Sequence, residues 1–290
     1  MNSKNHNCLI ISDGTEGMEN QSMALAKSLG FKSNLLKAKP FWLCRLFPTF
    51  LAGRFKIPLS NNDTIFKTKN YTILITCGRR MAGISIGLKR IYRKKNKRIF
   101  TIHIQNPNIA SVYFDLLVVP EHDNLTGENI IVSEGSLHLV DKKNIKIAYH
   151  KLSIRHLKIL KEHIVVLIGG NTRTQKITSE YANKFISEIK RIQKIFNSKI
   201  VLCPSRRTPE NLLEYFKEKK PENIIIAAKK NNENPYPGII YNAKLIIATT
   251  DSINLLSEAI GSGKSVFVFD LFKPIKRKKT YVQKLLSKGK

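Results

Sequence analysis

Residues 8–17, CLIISDGTEG, and residues 165–173, VVLIGGNTR, decide the fold class of this 290-residue chain. Each stretch is an apolar run that ends in glycines and is followed by a helical pattern. Such a run predicts a β-strand that enters an α-helix through a short turn, and repeated units of this kind build parallel sheets. Because one such stretch opens each half of the chain, the sequence predicts two similar α/β domains in tandem.

Short Ile/Val/Leu runs alternate with longer amphipathic stretches in both halves, as expected of βαβ units. The sequence predicts strands at residues 8–12, 72–76, 99–104, 116–119, 164–168, 199–203, 224–227, 245–248 and 265–269. Residues 141–163 are rich in Lys and His and have no long apolar run, so the linker is placed there. The predicted domains are residues 1–155 and 156–290.

The charge of the chain is extreme, with a formal net charge of +29 and a pI near 10.0. It indicates attraction to a polyanion such as nucleic acid or an anionic bilayer. Lysine is nevertheless scattered beside abundant Asn and Ile, which AT-rich codons would produce whatever the function. Charge alone therefore identifies no partner.

The cysteines and the hydropathy pattern indicate a compartment. The four cysteines are far apart and form no C-x-x-C pair, which fits a reducing cytosol. There is no signal-peptide pattern and no apolar run long enough to span a bilayer. We expect a cytoplasmic protein that is not integral to a membrane.

Candidate ligand loops follow the strands of the first half. In residues 12–21, glycine-flanked amides before a helix predicted to begin near Ser22 suit an anion, although a plain βα turn is equally consistent. The acidic residues of this stretch are suited instead to protons or sugar hydroxyls. Arginines at a predicted helix start call for an anion there. The candidates are Asp13, Gly14, Glu16, Gly17, Glu19, Asn20, Arg79, Arg80, His103, Gln105, Asn106, Glu121 and His122.

Two loops of the second half, which follow the strands at residues 164–168 and 199–203, form a candidate diphosphate cradle of glycines, hydroxyls and arginines, because open α/β sheets bind ligands at the carboxyl ends of their strands. A third loop follows the strand at residues 245–248 and leads into a helix that Asp251 or Ser252 could simply cap. The candidates are Gly169, Gly170, Asn171, Arg173, Ser205, Arg206, Arg207, Asp251, Ser252 and Glu258.

Seven of these stretches, in order, resemble the mitochondrial fission ELM family of plants and bacteria: SDGTEGMENQ, CGRR, HIQNP, FDLLVVPEHD, LIGGN, PSRRTP and TTDSINLLSEA. More distantly, the chain is similar to GT-B glycosyltransferases. This resemblance implies two Rossmann-like domains whose parallel sheets face a central cleft. It also implies that Gly14 and Gly17 lie on the acceptor side. Gly169, Gly170, Arg206, Ser252 and Glu258 would then face a nucleotide sugar.

One residue departs from the glycosyltransferase pattern. Met18 stands where that loop carries a histidine, and a thioether cannot transfer a proton. Glu16, Glu19 and His103 are the alternative candidates for the catalytic base, and a chain without catalysis is the other interpretation. No D-x-D pair occurs, so a metal-independent reaction without a cofactor is expected.

The predicted function is that of a GT-B-like glycosyltransferase with a nucleotide-sugar donor, acting at the inner face of a membrane on a lipid-linked or cell-envelope acceptor. Residues 37–51 hold the single Trp among Phe, Lys and Arg, and they suit either a bilayer interface or an irregular core segment. A non-catalytic, membrane-associated interaction protein is the alternative. Nucleic-acid binding is not expected, because no aromatic stacking platform or known motif appears.

Overall fold

The computed structural model describes residues 6–38, 70–152, 162–172, 176–219, 222–227 and 235–270. These residues form two compact α/β units that divide between Leu139 and Val140. Helix α3 (Lys142–His150), within the stretch where the sequence places the linker, belongs to the second unit. Its Ile145 is buried in the core of that unit with Val165 and Leu256.

The first unit is built on a six-stranded parallel sheet in the order β2-β1-β3-β4-β5-β6. Helix α1 (Glu16–Ser28) follows β1, and helix α2 (Ala82–Lys94) follows β3. The four strands predicted for this half are confirmed. The strands are β1 (Asn7–Ser12), β2 (Lys32–Lys37), β3 (Ile73–Cys77), β4 (Phe100–Ile104), β5 (Leu116–Pro120) and β6 (Ile130–Ser133).

The two strands that the sequence did not predict, β2 and β6, lie at the edges of this sheet. Only Leu36 is buried in β2, and no residue is buried in β6. An edge strand has little surface to bury and needs no long apolar run, so the signal in β2 is weak, whereas β6 does carry a short apolar run, residues 130–132, that was not predicted as a strand.

Side chains on the two faces of the first sheet alternate, as the period of a strand requires. Leu9, Ile11 and Leu74 pack with Ile84 of α2 on one face. Ile10 and Ile75, which directly follow Leu9 and Leu74 in the sequence, pack with Ala26 of α1 on the other face. The two helices therefore cover opposite faces, and both begin at the carboxyl ends of the strands and end at the amino ends.

The second unit is a five-stranded parallel sheet in the order β11-β10-β7-β8-β9, and the five strands predicted for this half are confirmed. The strands are β7 (His163–Ile168), β8 (Lys199–Pro204), β9 (Ile224–Ile226), β10 (Ala243–Thr249) and β11 (Val266–Phe269). The remaining helices are α4 (Ser179–Phe196), α5 (Glu210–Lys219), α6 (Tyr236–Ile240) and α7 (Ile253–Gly261). Because β10, β7 and β8 are neighbours, the loops that leave them share one edge.

Within the described ranges, no helix has the length and apolarity to cross a bilayer. Residues 39–51 of the predicted interfacial segment lie outside the described residues, as does Cys44. The other three cysteines are buried and free, and burial raises the pKa of the Cys8 and Cys203 thiols to about 12. They therefore act as small apolar side chains.

Candidate functional site

The loop after β1 is shorter than predicted, because α1 begins at Glu16 rather than near Ser22. Gly14 has a φ of +85°, and the Gly14 and Thr15 amides donate to Ser12 Oγ and Asp13 Oδ1, both at 3.0 Å. Glu16 and Glu19 lie in the first turn of α1, where carboxylates stabilise the helix dipole. Helix stabilisation thus accounts for acidic residues that the sequence assigned to ligand chemistry; Gly17 and Asn20 are also helical.

Asp13 and Arg80 form an ion pair of 3.4 Å between Oδ2 and Nη1. The carboxylate of Asp13 therefore already neutralises Arg80. Arg80 lies in the short 3-10 turn Arg79–Met81 before α2. Arg79 in the same turn is exposed. Of the two arginines that suggested an anionic ligand, Arg79 is therefore the one without a carboxylate partner among the described residues.

Met18, Cys77, Gly78 and Gln105 meet at the carboxyl edge of the first sheet. Met18 Sδ lies 3.4 Å from Cys77 Sγ, and a Cβ added to Gly78 would lie 3.2 Å from Met18 Sδ and 3.7 Å from Gln105 Oε1. Gly78 and Gln105 both have positive φ, +83° and +72°. Met18 is therefore a packing residue at the position where the resembled enzymes carry a histidine.

His103 is fully buried, against its predicted place among the ligand loops. A hydrogen bond of 2.8 Å joins its Nδ1 to Thr76 Oγ1, and its ring stacks on Phe114 with centroids 4.7 Å apart. Burial lowers the pKa of His103 to about 3. A neutral side chain with no exposed surface has no route to a substrate in this structure, so the geometry does not support His103 as the catalytic base.

The polar residues after β4 and β5 do come together, because these strands are neighbours. Asp123 Oδ2 accepts a hydrogen bond of 3.3 Å from the Asn106 amide. His122 Nε2 lies 3.7 Å from Asp123 Oδ1. Glu121 and His122 are partly buried in the 3-10 turn Glu121–Asp123.

In the second unit, Asp251 joins the three predicted loops. Its Oδ2 accepts a hydrogen bond of 2.8 Å from the Gly170 amide and lies 3.4 Å from Arg207 Nη2. The Gly169 amide donates to Thr249 Oγ1 at 2.8 Å. Both glycine amides therefore already donate inside the protein, and the diphosphate cradle at these loops stays a prediction.

Close packing is the reason for these two glycines. A Cβ on Gly169 would lie 2.0 Å from Asp251 Oδ2, and one on Gly170 would lie 1.9 Å from the Arg207 carbonyl oxygen. Neither glycine has a positive φ. The Asp251 side chain is fully buried, and its Oδ1 has no hydrogen-bond partner in the part of the chain that the structure describes.

Hydrogen bonds also fix the loop after β8 to the loop after β7. Ser205 Oγ donates to the Gly169 carbonyl at 2.8 Å, and Thr208 Oγ1 donates to the Ile168 carbonyl at 3.0 Å. The Asn171 amide donates to the Arg207 carbonyl at 3.0 Å. Thr208 is the residue of this network that the sequence did not single out, and only its place in the loop could have indicated it.

Arg206 remains available to a ligand, whereas the first turn of α7 already holds a side-chain cap. Arg206 is exposed between the two anchored residues Ser205 and Arg207. Ser252 caps α7, with a hydrogen bond of 3.5 Å from the Leu255 amide to its Oγ. Arg173 lies outside the described residues.

Glu258 is already engaged with Tyr236. The pKa of Tyr236 is well above its usual value because of burial first, and then because of the charge of Glu258 and a hydrogen bond to it. Glu258 therefore has a structural partner on α6 in addition to the ligand role suggested by resemblance.

Solved structures with this architecture define the class. A crystal structure of a putative UDP-N-acetylglucosamine 2-epimerase from Listeria monocytogenes superposes with a TM-score of 0.60 at 12% identity, over 98% of this chain and 87% of the other. The S. aureus MnaA–UDP structure gives 0.56 at 16%, over 96% and 82%. A UDP-glucosyltransferase from Polygonum tinctorium gives 0.51 at 10%, over 99% and 84%. The chain therefore has the GT-B fold, as predicted.

The family follows from sequence comparison. The family model described as mitochondrial fission ELM1 matches residues 16–290, so the chain belongs to that family. An uncharacterized protein, RP120, of Rickettsia prowazekii is 28% identical over 299 residues, 91% of this chain and 83% of that protein. The mitochondrial fission protein ELM1 of Arabidopsis thaliana is 24% identical over 220 residues, 68% of this chain but 51% of the plant protein.

Proposed function

We propose that the second unit binds the diphosphate of a nucleotide sugar at the loops after β7, β8 and β10. The observation that supports this is the network through which Asp251 and Gly170 hold Arg207 at the loop edge, with Arg206 exposed beside it. A rigid loop edge that presents a guanidinium reduces the entropy lost on binding an anion.

The charges of this loop edge favour a diphosphate despite the buried carboxylate. Asp251 offsets much of the charge of Arg207, so Arg206 and the amino end of α7 carry the main attraction. Arg206 has five donors for phosphate oxygens and, being exposed, no competing structural role. The expected contact is therefore from Arg206 and the α7 amides, not from the amides of Gly169 and Gly170.

The chemistry of the neighbours selects the first ligand to test. A UDP-N-acetylglucosamine 2-epimerase from Neisseria meningitidis, with a TM-score of 0.54, was crystallised bound to UDP-GlcNAc, and the S. aureus structure holds UDP. UDP and UDP-GlcNAc are therefore the first probes. The proposed reaction is metal-independent transfer of the sugar to a lipid-linked or cell-envelope acceptor at the inner membrane face, with the cationic loop stabilising the departing diphosphate.

Within the first unit, Glu19 is the strongest remaining candidate for the base. Its side chain is 12% exposed, and its Oε1 lies 3.9 Å from Lys37 Nζ, at the limit of an ion pair. A carboxylate held in this way retains oxygen lone pairs for an acceptor hydroxyl. Glu16 also lies in the first turn of α1, but its side chain already takes part in an interaction within the protein.

Isothermal titration of the full chain with UDP, UDP-GlcNAc, GDP and ADP tests the binding proposal. We expect UDP to bind and Arg206→Ala to weaken it, while Lys184→Ala on the exposed face of α4 leaves it unchanged. If none of the four nucleotides binds to folded protein, the proposal is wrong.

A non-catalytic, membrane-associated interaction protein is the second candidate function. The observation that favours it is that Met18 packs on Cys77 and His103 is buried, so neither residue offers an accessible proton carrier beside the β1 loop. An experiment distinguishes the non-catalytic protein from a glycosyltransferase: UDP-GlcNAc is incubated with the protein and a membrane extract, and the products are analysed by mass spectrometry. Nucleotide binding with no sugar released or transferred supports the second candidate.

A further inference from the structure

We propose that the first unit docks on an anionic lipid bilayer through the amino edge of its sheet, the edge opposite the ligand loops. This amino-edge surface consists of residues 89–98, KRIYRKKNKR, at the end of α2, together with Leu29, Lys32 and Phe100. It shares no residue with the loops of the proposed nucleotide site, and the proposal does not depend on nucleotide binding.

The amino-edge surface is strongly and almost purely cationic. Seven of the ten residues 89–98 are Lys or Arg, and none is acidic. Between Asn20 and Phe114 the sequence has a single acidic residue, Asp63. Lys89 pairs with Asp115 at 2.7 Å, but Arg93, Lys94, Lys95, Lys97 and Arg98 form no ion pair with any residue that the structure describes. These five side chains are exposed.

Neither helix stability nor codon bias accounts for this cluster. The helix dipole favours cations in the last turn of α2, which holds Arg93 and Lys94, but not the three that follow the helix. Codon bias would add lysines throughout without removing acids from one edge. On α4 of the second unit, by contrast, exposed cations stand beside acids, as with the Arg191 and Glu188 pair of 2.8 Å.

Backbone pairing and side-chain contacts make the surface continuous across four strands. Lys97 Nζ donates to Asn70 Oδ1 at 3.0 Å, and Asn7 Nδ2 donates to the Asn70 carbonyl at 3.3 Å. The register places Lys32 opposite Asn7, and the Phe100 amide donates to the Thr72 carbonyl. The amino ends of β2, β1, β3 and β4 therefore present these cations along one edge.

Three apolar side chains lie at this same edge, and they favour a bilayer over nucleic acid. Leu29, Phe100 and Ile91 are 48%, 48% and 38% exposed. Apolar side chains gain little from a phosphate backbone, whereas at a bilayer interface they enter the acyl boundary while neighbouring Lys and Arg contact lipid phosphates. The combination of cations and exposed apolar groups is complementary to an anionic membrane surface.

The position of the surface has a consequence for orientation. A strand of five residues such as β4 is roughly 17 Å long, so bilayer docking at the amino ends leaves the loops at the carboxyl ends turned away from the lipid. This contact would recruit the protein to a membrane without inserting the first unit's loops into it, so an acceptor that meets Glu19 would be one that extends beyond the lipid headgroups.

Co-sedimentation of the full chain with phosphatidylcholine vesicles, with and without phosphatidylglycerol, tests the proposal. The edge variant Lys94→Glu/Lys95→Glu/Arg98→Glu is compared with Lys184→Glu/Lys194→Glu/Lys199→Glu on the second unit, which changes the net charge equally at exposed positions. Each cation near such a surface contributes about fivefold in affinity. We expect wild type to bind only the anionic vesicles and the edge variant to lose at least about tenfold more affinity than the control variant.

Phe100→Ser tests the apolar part. It should weaken vesicle binding at low and at high salt alike, because apolar insertion is not screened by ions. Circular dichroism and urea denaturation check that each variant is folded. Should the triple edge variant not fold, Lys95→Gln/Arg98→Gln serves in its place, with a smaller loss expected.

Three results would overturn the proposal: no binding of wild type to anionic vesicles, equal losses in the edge and control variants, or edge-dependent binding of an RNA oligonucleotide without vesicle binding. Failure of UDP to bind, with vesicle binding intact, leaves this proposal standing and removes only the nucleotide proposal.

Discussion

Asp251 accepts the amide hydrogen bond of Gly170 across 81 residues of sequence, with 2.8 Å between Oδ2 and the amide nitrogen. The carboxylate is buried and also contacts Arg207. Together these two contacts connect the loops after β7, β8 and β10 to one another. They also mean that Gly169 and Gly170 serve packing, so that the exposed Arg206 is the better candidate for a phosphate contact.

Asp251→Ala should destabilise the protein by about 1–3 kcal/mol, because it leaves the buried Gly170 amide without an acceptor. Asp251→Asn keeps an acceptor oxygen and should lose less. Urea denaturation of both variants measures the difference. If Asn costs as much as Ala, the charge facing Arg207 matters more than the hydrogen bond.

Gly170→Ala should destabilise more than Gly14→Ala. A Cβ at Gly170 would overlap the Arg207 carbonyl, so backbone must move, and overpacking of this kind typically costs about 1–3 kcal/mol or more. Gly14 has open space around it and loses only its left-handed conformation, about 1–2 kcal/mol. Thermal unfolding of the two variants orders them; the reverse order would contradict the packing described here.

His103 should make stability depend on pH below neutrality. The unfolded chain binds a proton at the ordinary histidine pKa of about 6.5, whereas the folded side chain does so only at about 3. The unfolded state therefore binds more protons in this window, and stability falls as the pH decreases from about 6.5 towards 3. Burial lowers the pKa of His163 as well, which acts in the same direction.

The measurement is the slope of the unfolding free energy against pH. Uptake of one proton on unfolding gives a slope of about 1.4 kcal/mol per pH unit. His103→Gln should reduce the slope between about pH 6 and pH 4 even though it also lowers stability at every pH. An unchanged slope would show that His103 is not protonated on unfolding.

Arg206→Ala and Arg207→Ala should differ in what they disturb. Arg206 is exposed and contacts neither Asp251 nor Asn171, so its loss should weaken UDP binding about tenfold with stability unchanged. Arg207→Ala should weaken binding and also stability, since it removes the partner of a buried carboxylate. Titration and urea denaturation on the same samples give both quantities; a stability loss confined to Arg206→Ala would reverse these roles.

The fold class was accessible from the sequence because its signals are local. Runs such as residues 164–168 are apolar throughout since both faces of a central strand are covered, and the nine predicted strands are found at the expected places. The edge strand β2 was not predicted because it buries little and its apolar signal is weak, whereas the short apolar run of β6, residues 130–132, is visible in the sequence but was not predicted as a strand. The sequence placed the start of α1 too far along the chain, because Glu16, Gly17 and Glu19 suit a loop as well as the first turn of a helix.

The sequence by itself determined two parallel α/β units, the order of their loops and the family, since strand periodicity and short motifs lie within a few residues of one another. Only the tertiary structure decided what the loop residues do. Asp251 stands far along the chain from Gly170, and His103 is buried within β4 against Phe114, whereas Gln105, two residues further on, is only partly buried. Whether a backbone amide donates inside the protein or can donate to a ligand depends on such distant partners. Burial of a side chain likewise depends on the elements that pack over it.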